Sequence, residues 1–407
     1  MSLVVQKYGG TSVKDPERIR AVANRIAKTR NQGHDVVVVV SAMAGETNRL
    51  IQLAHECAKN PLERELDVVL SSGEQVTSGL LSIVLNDMNC PARCFQGHQI
   101  KLLTDSRFNN ARIESIKTDR IQKYLKDGKV VVVAGFQGID REGDITTLGR
   151  GGSDISAIAL AHCLKADLCE IYTDVDGVFT ADPRICPNAR KMEKISYEEM
   201  LEMASQGAKV LQTRSVEMAA KYNVNVMVRN SYNNNSGTLV CKEEPEMEHA
   251  FVSGIAHNDS EAKVSIRNVK DQPGVAMKIF DKIAKAGIVV DMIIQNVSHD
   301  GVTDMTFTIP KVDLERSLKT VKQIAKDIGA GEVESDSNIS KISVIGVGMR
   351  SHTGIASIMF KTLAENKINI QLISTSEIKI SCVIDQKHSK LAVQALHDAF
   401  DLDKVKH

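Results

Sequence analysis

The sequence predicts an α/β protein: a doubly wound, mainly parallel sheet through about Thr238, followed by two small modules in tandem. Two valine-rich runs, 36–40 and 130–134, read as parallel strands buried on both faces, with helical patterns between them. Several strand-like runs end in loops rich in glycine, hydroxyls or acids. The C-terminal part repeats itself at a fixed offset.

Residues 4–7 form the first strand-like run and lead into Lys7-Tyr8-Gly9-Gly10-Thr11-Ser12, ahead of a helical stretch at 16–29. The segment Thr147-Leu148-Gly149-Arg150-Gly151-Gly152-Ser153-Asp154 opens the apolar run 155–164 in the same way. Glycines let the backbone approach a ligand, and the first N–H groups of a helix point outward unsatisfied. Arg150 can then clamp a carboxylate or phosphate through two parallel hydrogen bonds. By itself the segment reads equally as an ordinary glycine-rich turn. A third run, 167–172, is followed by Thr173-Asp174-Val175-Asp176-Gly177 and continues through Phe179 to Arg184. Three such strand-end loops predict a phosphate site at the C-terminal edge of a parallel sheet.

The turn cluster 233–237 and the charged, proline-containing stretch 242–246 mark a domain boundary. Beyond it, Gly274 pairs with Gly354 at a spacing of 354 − 274 = 80, and the same offset relates Ala276 to Ala356, Phe280 to Phe360, Ala284 to Ala364, Ile288 to Ile368 and Ile293 to Ile373. Matches three and four residues apart mark the buried face of equivalent helices. Each copy reads strand, loop, helix, strand. A duplicated packing domain without a ligand has the same pattern.

Composition limits the partners. The 407 residues predict two to three domains, and 43% hydrophobic residues suffice for packed cores. Lysine plus arginine equals aspartate plus glutamate at 51 each, so no net field favours nucleic acid or an anionic membrane. The expected partner is a small molecule. No signal-peptide pattern opens the chain, and no apolar run approaches the roughly 20 residues that span a bilayer. The eight cysteines include no CxxC pair; Cys90 and Cys94 are the closest. They read as reduced packing residues of a cytoplasmic protein.

In combination the motifs resemble the monofunctional aspartate kinases of the amino-acid kinase family. The resemblance rests on KxGGTS at 7–12, SSGE at 71–74, GRGGSD at 149–154, TDVDGV at 173–178 and GAKVL at 207–211, and it covers the whole chain. It implies transfer of the ATP γ-phosphoryl group to the β-carboxylate of L-aspartate, giving 4-phospho-L-aspartate, the first step toward lysine, threonine and methionine. The repeats resemble ACT modules, small ferredoxin-like βαββαβ domains. The implied organisation is a catalytic domain over 1–245, one ACT domain over 262–337 and a second over 340–407, completed by a strand from 250–258.

The attacking β-carboxylate is already ionised at neutral pH, so the chemistry needs positioning and charge neutralisation more than a base. By resemblance Lys7 and Lys209 stabilise the transferred group, with backbone donors at Gly9 and Gly10 and with Tyr8 in the nucleotide site. Asp154 orients Lys7 or shapes the phosphate site; it reads equally as a first-turn acid satisfying helix N–H groups. Arg150 holds the α-carboxylate of aspartate, and Glu74 takes the α-ammonium. Glu74 reads equally as a helix-capping acid after Ser71-Ser72-Gly73. Ser41, Thr47, Gly151, Gly152 and Ser153 add contacts, Ser41 toward the nucleotide. Thr173, Asp174, Phe179 and Arg184 complete the nucleotide site, with Phe179 where many relatives have tyrosine. ATP enters as co-substrate with Mg²⁺, which phosphate oxygens and water hold without a protein metal site.

The effector, lysine or threonine or both, is expected where Asp271, Gly274, Val275 and Ala276 face Asp291, Gln295, Asn296, Asn369 and Ile370. The first repeat carries Asp271-Gln272-Pro273-Gly274, as ACT effector loops often do, whereas Thr353 replaces the proline in the second. A homo-oligomer is expected, or a heterotetramer with an ACT-only subunit begun near Met247. No GxxxxGK[ST] loop and no HRD or DFG signature is present, which argues against those phosphotransferase classes. Gly346-Val347-Gly348 reads as a packing turn. Another carboxylate kinase, such as a glutamate kinase, and a catalytically idle amino-acid sensor are the alternatives.

Overall fold

The computed structural model describes residues 2–207, 210–243, 252–296, 301–350 and 354–404, except the side chains of Gly348 and Arg350. The chain divides into two units.

The first unit is built on an eight-stranded sheet in the order Lys194–Ser196, Thr238–Cys241, Val226–Asn230, Leu168–Thr173, Leu3–Tyr8, Asp35–Val40, Val130–Ala134, Ala92–Phe95. Only the pairing of Val226–Asn230 with Thr238–Cys241 is antiparallel. The valine-rich strands are buried along nearly their whole length, as expected of a sheet covered on both faces. Register decides where the loops emerge. Lys7 lies opposite both Val39 and Ile171, and Val40 lies opposite Ala134, so four strands end at one edge.

Helices cover this sheet. Pro16–Asn31 starts on an Asp15 cap, whose side chain accepts from the Arg18 N–H at 2.8 Å, and it buries Ile19, Val22, Ala23 and Ile26 at helical spacing. Helix Gly152–Leu164 is buried almost all round, which explains its unbroken apolar sequence. Helix Glu63–Asp87 has 25 residues. By length and composition it could cross a membrane, a length of apolar sequence the reading above did not pick out. Half of that stretch is buried inside the protein, together with Asp67 and Glu74. A small sheet of Leu103–Thr104, Ile113–Ser115, Gln137–Ile139 and Ile145–Thr147, which the sequence reading did not foresee, leads into the glycine-rich segment at 149.

The second unit holds two four-stranded antiparallel sheets. One orders Ile293–Gln295, Val302–Pro310, Glu261–Lys270 and Val333–Asp336, covered by helices Val275–Lys285 and Leu314–Ile328, in βαββαβ connection. The other orders Gly254–Asn258, Ile339–Ile345, Lys379–Asp385 and Ile370–Thr375, with helices Ile355–Glu365 and Ser389–Ala399. Its edge strand, Gly254–Asn258, comes from ahead of the first repeat. The leading helices keep the sequence offset at both ends: 355 − 275 = 80 and 365 − 285 = 80.

Two segments depart from the division drawn at 245, Phe179–Arg190 and a short stretch from Gln206. Phe179–Arg190 packs with the second unit, where the Ile255 N–H donates to the Thr180 carbonyl at 2.7 Å, and Gln394 Nε2 donates to the Ile185 carbonyl at 2.7 Å. Ala181 and Cys186 are buried in that core with Val252 and Ile255.

Candidate active site

The strand ends of the first unit surround a cavity of about 340 Å³. Lys7, Gly9, Gly10, Ser41, Thr47, Glu74, Arg150, Gly151, Gly152, Ser153 and Asp154 all line it, so residues spread over the first 154 positions meet at one place. Ala42, Met43, Ala44, Gly45, Phe136 and Gly149 complete the wall.

Lys7 is the next-to-last residue of the first strand, Leu3–Tyr8, and is almost wholly buried; its ammonium lies 2.5 Å from Asp154 Oδ1. Asp154 sits in the first turn of helix Gly152–Leu164. Its two readings therefore coincide, because one carboxylate both faces a helix N-terminus and holds the lysine.

Glu74 is not a cap: it lies mid-way along helix Glu63–Asp87. Gly73 allows this placement, because a Cβ there would stand 2.7 Å from the Ala42 Cβ. The close approach lets the Ala42 N–H donate to Glu74 Oε1 at 2.9 Å, while Oε2 has no partner among the described residues. Burial raises the Glu74 pKa to about 7, against the opposing pull of the Ala42 N–H. An acid in this state gains most from an incoming cation.

Arg150 lies between two left-handed glycines, Gly149 at φ +75° and Gly151 at φ +74°. At 151 any side chain is excluded also by space, since a Cβ would fall 2.3 Å from Gln212 Cγ. The Arg150 side chain is exposed and makes no hydrogen bond or ion pair with a described residue. The cavity thus presents a free guanidinium, a buried half-partnered carboxylate and a buried ammonium–carboxylate pair.

The nucleotide set is less unified. The Tyr8 side chain is fully buried and stacks on Tyr172 with ring centroids 4.7 Å apart, so only its main chain is left to contribute. Thr173 ends the strand beside Lys7 and Asp174 follows it, at the same sheet edge but off the cavity wall. Phe179 and Arg184 fold with the second unit, where Arg184 is paired to Asp182 at 2.7 Å. Lys209 lies outside the described residues.

The effector set is also divided. In the second unit a cavity of about 430 Å³ is lined by Asn296 and Ile370 together with Lys263, Arg267 and Gln371. Asp271, Gly274, Val275 and Ala276 are not on its wall; Gly274, at φ +90°, caps helix Val275–Lys285 instead. Gln295 ends the edge strand Ile293–Gln295, and Asn369 precedes the strand Ile370–Thr375. Asp291 needs correction most. Its carboxylate is engaged by the ammonium of Lys341, a lysine 1% exposed that also reaches Glu261 at 2.5 Å, so the cation Asp291 was expected to take from an effector is supplied by the chain itself.

Two contributors escaped the sequence reading. Asp67 is fully buried and accepts from the Thr147 N–H at 2.7 Å, the Thr147 hydroxyl at 2.6 Å and the Asn109 N–H at 3.0 Å. A lone acid in the apolar stretch Leu66-Asp67-Val68-Val69-Leu70 was its only local signal. Arg214 hydrogen-bonds the backbone of the glycine-rich segment and had none.

Known proteins resemble the chain along its whole length. The amino acid kinase family model matches residues 2–230, and an ACT domain model matches 255–324 and 342–400. An aspartokinase of Pseudomonas aeruginosa is 57% identical over 99% of this chain and 98% of its own. Aspartokinase III of Escherichia coli, solved with lysine and aspartate, superposes with a TM-score of 0.78 at 25% identity, covering 98% of this chain and 99% of that one. The same enzyme with aspartate and ADP shares the fold at a TM-score of 0.81 and 24% identity, covering 98% and 100%. Conjoined in one chain with the geometry above, these likenesses show that it belongs to the aspartate kinases of the amino acid kinase family, with ACT domains after the kinase region.

Proposed function

We propose how the cavity divides the work of the aspartate kinase reaction, in which ATP phosphorylates the β-carboxylate of L-aspartate to 4-phospho-L-aspartate. Arg150 takes the α-carboxylate through its planar fork, and Glu74, ionised by the encounter, takes the α-ammonium. Aspartate is then fixed by its zwitterionic head, leaving its β-carboxylate free to reach the γ-phosphoryl group. Lys7, held by Asp154, neutralises charge on the γ-oxygens as the loose transition state forms. Gly9 and Gly10 offer backbone donors, and Ser41, Thr47 and Ser153 add hydroxyls. No base is required. The observation that carries this reading is the meeting, on one cavity wall with the Lys7–Asp154 pair, of a guanidinium without a partner and a buried, half-partnered carboxylate among the described residues.

Mg²⁺ accompanies ATP. Phosphate oxygens and water are proposed to carry most of its coordination. Thr173, Asp174, Phe179, Arg184 and Lys209 are proposed for the nucleotide. Lysine or threonine is proposed to inhibit through the ACT region, supported by the E. coli relative solved with lysine. The protein is proposed to be cytoplasmic and homo-oligomeric. The alternative, an ACT-only subunit from an internal start, rests on Met247, which lies outside the described residues; intact mass measured on protein from the native gene decides it.

Coupled release of ADP, measured with aspartate, with glutamate and with neither, tests the central assignment. Release with aspartate alone supports it; release with glutamate indicates a different carboxylate kinase, and no release an idle sensor.

A further inference from the structure

The Arg150 guanidinium has no described partner, so its direction is set by the backbone of the loop that carries it. Flanking glycines at φ +75° and +74° give that loop unusual freedom, and something must remove it. Two side chains grip the residues just before it. Asp67 fixes Thr147 through its N–H and hydroxyl. Arg214, in the first turn of helix Thr213–Tyr222, donates from Nη1 to the Leu148 carbonyl at 2.6 Å and to Asn110 Oδ1 at 2.6 Å, and from Nη2 to the Ala111 carbonyl at 2.9 Å.

All three acceptors are neutral oxygens, so this arginine serves as a rigid fork and not as an ion-pair partner. Its pKa is lowered, first by burial and then by neighbouring Arg112, in keeping with that role. The same helix entrance supplies Gln212, whose side chain closes the space beside Gly151.

We infer that Arg214 is a positioning residue for aspartate: by fixing Leu148 against Asn110 and Ala111 it sets the direction of the Arg150 guanidinium. The inference rests on the proposed role of Arg150. Arg214 touches no reacting atom and acts only through the loop. A misplacement of about 1 Å in a clamp is enough to lose up to roughly a hundredfold in rate or affinity.

The test compares Arg214→Met, Arg214→Lys and Arg150→Lys by steady-state kinetics and thermal unfolding. Arg214→Met is expected to raise the KM for aspartate about tenfold or more while the KM for ATP stays within about threefold. Arg214→Lys should fall between, because a single ammonium can serve one carbonyl but not the three-acceptor fork. It carries the same reading if the Met variant does not fold. If Arg150→Lys raises the aspartate KM and both Arg214 variants leave it unchanged, the inference fails while the role of Arg150 stands. Equal rises for both substrates show a general structural role and overturn it. If Arg150→Lys itself leaves the aspartate KM unchanged, the role of Arg150 and the inference fall together.

Discussion

The Lys7 ammonium lies 2.5 Å from the Asp154 carboxylate, and the two side chains are only 11% and 10% exposed. One residue lies next to the end of a central strand, and the other stands in the first turn of the helix that follows the glycine-rich segment. The pair therefore joins the two motifs at the cavity floor. Removing one partner strands a buried charge.

Lys7→Ala should lower turnover by roughly two to three orders of magnitude, the scale of losing one preorganised transition-state donor. Binding of ATP, followed by calorimetry, should change less. Turnover within about tenfold of the parent enzyme would remove Lys7 from the mechanism.

Glu74 predicts a pH dependence with a definite sign. Its folded pKa is raised from 4.5 to about 7 by burial, so over that interval the empty folded protein keeps a proton that the unfolded chain releases. The stability associated with this group is full below about pH 4.5 and falls toward about pH 7, by at most roughly 3 kcal/mol. Glu74→Gln does not titrate and should gain stability relative to the parent between pH 5 and 8, read by urea unfolding without aspartate. Conversely, the parent's KM for aspartate should fall as pH rises through about 7, and this dependence should vanish in Glu74→Gln.

Arg150→Lys keeps the charge but loses the planar fork, so the aspartate KM should rise by about tenfold or more with that of ATP nearly unchanged. An equal loss for both substrates assigns Arg150 a structural role.

Gly73→Ala places a methyl group 2.7 Å from the Ala42 Cβ as the backbone stands, so helix and loop must separate. A stability loss of about 1–3 kcal/mol is expected, with a raised aspartate KM as the Ala42–Glu74 hydrogen bond stretches. Thermal unfolding and kinetics on one sample check both; an unchanged melting point contradicts the packing argument.

Inhibition by lysine or threonine should weaken in Gln295→Ala while uninhibited turnover stays within about twofold, because allostery acts through differential binding away from the chemistry. Asp291→Ala should instead lower the melting temperature, since it takes one of two carboxylates from buried Lys341. If no amino acid inhibits at millimolar concentration, the repeats have a packing role.

Much of the cavity was legible before folding was considered. Lys7, Gly9, Gly10, Arg150 and Ser153 belong to strand–glycine–helix segments visible in the sequence, and all of them line the one cavity. Glu74 had two readings, an α-ammonium ligand by resemblance and a helix-capping acid, and its place inside a 25-residue helix removes the second. Tyr8 was placed with the nucleotide, whereas its ring is fixed in the core by Tyr172, more than a hundred and sixty positions away.

The sequence alone determined the central strands near 4–7, 36–40, 130–134 and 167–172, the glycine entrances and the 80-residue repeat, because apolar periodicity and backbone freedom are properties of neighbouring residues. Tertiary structure alone decided which groups pair. The Ala42–Glu74 bond spans 32 positions, Asp67 reaches Thr147 across 80, and Lys341 reaches Asp291 across 50. The segment Phe179–Arg190 likewise joined the second repeat's core through contacts far along the chain. A buried charge or donor takes whichever partner the fold brings within reach, and that choice depends on burial and register that no local stretch of sequence contains.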